Sequence, residues 1–118
     1  MKEGIALIAH GSRDPEWSRP FERIALSLAE KLPAVAVGLA FLEHGPSLEE
    51  TVAALVAKGA GSIRVVPVFL GQGGHVKDDL PRLVSEAARP GVKLLLEKPI
   101  GEQPQIIEAI ASAIAGAR

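Results

Sequence analysis

Along this chain, short uncharged apolar runs alternate with stretches in which apolar side chains recur at helical spacing. Ile5-Ala-Leu-Ile-Ala9 contains no polar residue, as expected of a strand buried on both faces. Phe21, Ile24, Ala25, Leu28 and Leu32 then predict an amphipathic helix, with Ser18 as its N-cap and Pro20 in its first turn. Ala34 to Leu42 reads as a second strand. Ser47-Leu-Glu-Glu50 matches a capping box, and the helix it opens carries Val52, Leu55 and Val56 on one face until Gly59 and Gly61 stop it. A third strand is predicted from Ile63 to Leu70. After the loop Gly71-Gln-Gly-Gly74 comes a helix from Val76 to Ala88, in which Pro81 belongs near the start. Val92 to Leu96 is the fourth strand, and Ile106, Ile107, Ile110 and Ile114 mark a last helix entered through Pro104.

Four strand–helix units in succession, with short connections and no linker, predict one α/β domain over residues 1–118. The expected architecture is an open, mostly parallel four-stranded sheet with right-handed crossovers and helices on both faces. Four units are too few to close a barrel.

Composition narrows the function classes. A chain of 118 residues that is 47% hydrophobic and 23% charged has the make-up of a globular domain with its own core. Its 13 basic and 14 acidic side chains nearly cancel, so no overall field draws it to nucleic acid or to a membrane surface. Trp17, Phe21, Phe41 and Phe69 are the only aromatic residues, which argues against a base-stacking platform. The absence of cysteine excludes disulfides and zinc–thiolate sites. No stretch approaches the roughly 20 apolar residues that span a bilayer. The apolar run near the N-terminus is too short for a signal peptide, so a cytoplasmic protein is expected.

The chemistry gathers where strands should end. His10 follows the first strand, in Ala9-His-Gly-Ser-Arg13, and His75 closes the glycine-rich loop after the third. Parallel α/β sheets bind ligands beyond the carboxyl ends of their strands, so both imidazoles are candidates for one edge. There they suit a transition metal or proton transfer near neutral pH. Glu43 follows the second strand on the same edge and reads equally well as a third ligand, a proton acceptor or a surface carboxylate. His44 reads as peripheral, and Trp17 as either pocket lining or core cover. Ser12 and Arg13 with loop amides suggest a phosphate site, although neither a P-loop nor a dinucleotide fingerprint is present. Asp78 and Asp79 suit the first turn of a helix whatever its function. Arg13, Arg19, Lys77 and Arg82 either attract an anionic substrate or form a solvated surface.

Several blocks together resemble a known family. They are His10-Gly-Ser-Arg13, Phe41-Leu-Glu43 through Pro46-Ser47, and Pro67-Val-Phe-Leu-Gly-Gln-Gly-Gly-His75-Val-Lys-Asp-Asp-Leu-Pro81. In this order they resemble the CbiX/SirB-type sirohydrochlorin chelatases, and Pro99-Ile-Gly101 before Pro104 is similar to that family's Pro-Leu-Gly segment. The resemblance implies a class II chelatase-like half-unit that inserts Co(II), or alternatively Fe(II) or Ni(II), into a sirohydrochlorin-like tetrapyrrole. It implies no permanent cofactor, the metal being a substrate. His10 and His75 correspond to the family's metal-binding histidines, and Glu43 to its acidic residue. Ser12, Arg13, Gly73, Gly74 and Lys77 are the candidates for substrate contact, Arg13 and Lys77 as partners of its carboxylates. Larger members hold two such units in one polypeptide, so this chain resembles the short form, in which a homodimer supplies the second half. A carrier that binds metal or tetrapyrrole without inserting one into the other is the rival from another class.

Overall fold

A computed structural model describes residues 2–71, 73–74 and 76–116 of the chain. Its elements run β1 (Lys2–Ala9), α1 (Pro15–Lys31), β2 (Ala36–Phe41), α2 (Leu48–Ala57), β3 (Ala60–Pro67), α3 (Val76–Ala87) and β4 (Lys93–Leu96). A 3-10 turn over Ile100–Glu102 and α4 (Pro104–Gly116) complete the fold. All strand pairs are parallel and the spatial order is β2-β1-β3-β4. The four-stranded parallel sheet expected from the alternating pattern is therefore present.

β1 lies between two neighbours, which explains why its uncharged run is buried from Gly4 to Ala9. Its side chains serve two cores. Ala6 and Ile8, with Val65 of β3, pack against Leu48, Val52 and Leu55 of α2 and Leu80 of α3. Ile5 and Leu7, with Val66, meet Ala25 and Leu28 of α1 and Ile100 of the 3-10 turn. Helices thus cover both faces, as period-two alternation within the sheet requires.

The first helix starts earlier than its apolar spacing suggests. Its N-cap is Asp14, whose carboxylate accepts from the Glu16 amide at 2.9 Å, and Pro15 occupies the first helical position. Ser18, expected as the cap, lies inside α1, where its hydroxyl donates to the Pro15 carbonyl at 2.9 Å. Pro20 and Pro81 both sit within their helices, each leaving one carbonyl of the preceding turn without its helical donor. The capping box is realised as predicted: Glu50 N–H donates to Ser47 Oγ at 3.1 Å and Ser47 N–H to Glu50 Oε1 at 3.0 Å. Gly59, with a φ of 99°, ends α2, but Gly61 is already inside β3 and buried. β3 itself ends at Pro67, leaving Val68 to Leu70 as the entry to the next loop.

α1 and α4 stand apart from the other helices because neither has a buried residue. Ile24 on α1 and Ile107, Ile110 and Ile114 on α4 are exposed. Between the two helices a groove of about 410 Å³ opens over the sheet, lined by Ile5, Leu7, Ile24, Leu28, Val66 and Ile106. Among the described residues, no helix is long and apolar enough to cross a membrane.

Candidate functional site

The chain leaves β1 for β2 on one side and later reaches β3 on the other. This reversal of direction makes a crevice at the carboxyl ends of β1 and β3. His10 is the first residue beyond β1. Ladder-like bonds continue past the strand on both flanks: Leu42 N–H donates to the Ala9 carbonyl at 2.9 Å, and Val68 N–H to the Ile8 carbonyl at 2.8 Å. His10 is thereby carried on extended, paired backbone instead of a loose loop.

Glu43 is placed by the same device. Its amide donates to the His10 carbonyl at 2.9 Å, and its carboxylate lies 3.9 Å from His10 Nε2. The two side chains are 54% and 59% exposed, so both remain open to a ligand arriving at the sheet edge. The spacing on the sequence only puts Glu43 on this edge; the structure makes it a neighbour of His10.

Gly11 shapes the turn that follows β1. It is buried with a φ of 92°, and a Cβ there would run into the Glu43 carbonyl and press on Phe41. The glycine lets the turn after β1 fold against the turn after β2, so it locks the pair that His10 and Glu43 form. Ser12 turns toward the start of α1, its hydroxyl accepting from the Asp14 amide at 3.2 Å. Beside it a small pocket of about 120 Å³ is lined by Ser12, Asp14, Ser18, Phe41, His44 and Gly45. His44, expected at the periphery, lines this pocket from a left-handed backbone position with a φ of 56°. The Gly-Pro that follows it is the sequence sign of an unusual turn.

On the other flank, Phe69 packs against the larger core and its carbonyl accepts from the Gly101 amide at 2.9 Å. Gly71, Gly73 and Gly74 stand in open space, Gly74 with a φ of 53°. Val76 N–H donates to the Gly73 carbonyl at 3.3 Å where α3 begins. His75 and Gln72 lie outside the described residues. Lys77 is exposed on the first turn of α3. Arg13 and Lys77 make no ion pair among the described residues, whereas Arg19 sits 3.6 Å from Glu16, and Arg82 lies 2.7 Å from Glu86 and 3.5 Å from Asp79. Of the four cations considered for an anionic substrate, Arg13 and Lys77 are therefore the ones without an ion pair among the described residues.

Among the described residues, no group of three or more His, Asp or Glu side chains could hold a metal ion. His10 and Glu43 form a pair, which alone suits a metal that is passed on better than one that is kept.

Known proteins share this fold. The family model CbiX matches residues 4–117. A sirohydrochlorin cobaltochelatase of Sulfolobus acidocaldarius is 32% identical over 108 residues, covering 91% of this chain and 85% of the relative. A solved structure from Marinobacter aquaeolei, described as a CbiX protein of cobalamin (vitamin B12) biosynthesis, gives a TM-score of 0.80 at 34% identity, covering 98% of this chain and 96% of that one. The sirohydrochlorin chelatase SirB of Bacillus subtilis, solved in complex with cobalt, gives 0.84 at 28% identity and covers 98% of this chain but 51% of its own.

Proposed function

The chain belongs to the CbiX family, and from that premise we propose that it is a cytoplasmic sirohydrochlorin chelatase whose metal substrate is Co(II). The reaction exchanges two inner N–H protons of the tetrapyrrole for one divalent ion, with no change of oxidation state. The observation that carries this reading is His10 at the carboxyl end of β1 with the Glu43 carboxylate, from beyond β2, 3.9 Å away, both open to solvent at that edge of the sheet. A neutral imidazole is a borderline ligand that holds Co(II) weakly enough to surrender it to four ring nitrogens. Glu43 stands ready to accept a pyrrole proton as the metal enters. His75 is assigned as the second imidazole by its motif. Arg13 and Lys77, which make no ion pair among the described residues, are suited to the carboxylates of the substrate. Ser12 and the loop amides at Gly73 and Gly74 are suited to its remaining contacts. Fe(II) and Ni(II) suit the same ligand types, so competition at controlled free metal concentrations ranks the three.

The reading includes a homodimer. Its support is the match in length: the chain corresponds to almost all of the Marinobacter protein but to about half of SirB. The apolar face between α1 and α4 is the surface that suits a second copy.

An anaerobic spectrophotometric assay of sirohydrochlorin with each metal tests the function. Multiple turnovers above the spontaneous rate, abolished in His10→Ala and His75→Ala, are expected. Stoichiometric binding of metal or tetrapyrrole without acceleration would replace the chelatase by a carrier.

A further inference from the structure

We propose that Gly101 is a positioning residue for the glycine-rich loop that runs from Gly71 toward His75. Gly101 is buried, and a Cβ placed on it would overlap the backbone of Leu70. Its own φ is not in the left-handed region, so backbone freedom does not explain the glycine. Close approach does. The 3-10 turn is anchored on either side of this contact. Pro99 is among the fully buried residues, and Ile100 packs into the core formed by Ile5, Leu7 and Val66. From that anchored turn, Gly101 N–H donates to the Phe69 carbonyl at 2.9 Å and its Cα abuts Leu70.

Among the described residues further along the loop, Gly71, Gly73 and Gly74 have open space where a side chain would stand. Gly101 backs the loop at Leu70, where it leaves the sheet, and the buried Leu80 docks α3 beyond its far end. Pro99-Ile-Gly101 carries no chemistry of its own, yet it backs the segment that leads to the second histidine. The functional consequence rests on the chelatase reading, in which His75 handles the metal; the positioning itself does not.

The experiment compares Gly101→Ala and Ile100→Ala with Gly116→Ala, a glycine that meets nothing within 4 Å. In Gly101→Ala the Leu70 backbone must shift, and in Ile100→Ala the turn loses its apolar anchor without a clash. Both are expected to raise KM for Co(II) about tenfold, as misplacement at ångström scale does, while KM for sirohydrochlorin stays within about twofold. Hydrogen exchange in a peptide covering residues 68–76 should accelerate, with β1 unchanged, and Gly116→Ala should match the wild type. Should Gly101→Ala fail to fold, Ile100→Ala decides. A folded variant with wild-type KM for Co(II) and unaltered loop exchange would overturn the proposal, as would losses that follow thermal stability and spare the KM split. A wild type that inserts no metal overturns the chelatase reading instead; loop exchange and direct Co(II) titration still judge Gly101.

Discussion

Glu43 holds His10 twice, donating its amide to the His10 carbonyl at 2.9 Å and setting its carboxylate 3.9 Å from His10 Nε2. The backbone bond does the placing. With both side chains more than half exposed, their mutual attraction contributes less than about 1 kcal/mol. Proximity is therefore imposed by the sheet, and either side chain is free to engage a metal or a proton.

Glu43→Gln keeps the shape and the backbone bond but removes the proton acceptor. Its unfolding free energy should stay within about 0.5 kcal/mol of the wild type, while metal insertion slows by about a hundredfold. Urea titration and the anaerobic insertion assay measure the two quantities. An unslowed reaction would exclude Glu43 as the acceptor.

Gly11→Ala strikes the same pair from below. The left-handed backbone and the collision with the Glu43 carbonyl should cost about 1–3 kcal/mol. Insertion should fall even under conditions where the variant is fully folded, because Glu43 must move. Chemical denaturation and the insertion rate of the folded fraction separate these effects.

The capping box of α2 makes stability depend on acid. The Ser47 amide and hydroxyl hold the Glu50 carboxyl below the usual carboxylate range. A lowered folded value means that the contribution is present at neutral pH and fades as pH falls below the ordinary range toward that lowered value. Ser47→Ala should cost about 1 kcal/mol at neutral pH. Thermal melts of Glu50→Gln between about pH 3 and 6 should show a shallower acid decline than the wild type.

The α1–α4 face predicts oligomeric state. Ile24→Glu combined with Ile110→Glu places charge on two residues that are 44% and 40% exposed, so the monomer fold should survive. Light scattering should then report half the wild-type mass. A wild type that is already monomeric and fully active would remove the dimer from the proposal.

Much of this architecture is legible from local pattern. The uncharged run Ile5–Ala9 announces a doubly covered strand, and Ser47 with Glu50 announces a helix start, because each signal lies within a few residues. Ser18 misleads for the same reason: apolar spacing begins at Phe21, while the cap Asp14 is marked by the proline after it, not by periodicity. The approach of Glu43 to His10 depends on β2 pairing with β1, which no local window contains. The same holds for Gly101 against Leu70, and for Arg64 with Glu97. Nε and Nη2 of Arg64, on β3, donate to the carboxylate of Glu97, the residue just after β4, at 2.5 and 3.1 Å. Chemistry-bearing residue types could be picked out one by one, but their partners belong to the topology.

The position of β1 also fixes when the site can form. A nascent chain presents β1 before β2 and β3, so β2 can pair with it early, but the opposite flank stays bare until β3 has been made. The Ile8 carbonyl waits for the amide of Val68, far along the sequence, and such distant pairings are slow to close. A ribosome stalled before that point would hold His10 on a half-sheltered strand with its crevice missing a wall. Metal capture should accordingly be a late acquisition of synthesis, arriving only once the second half of the sheet has joined the first.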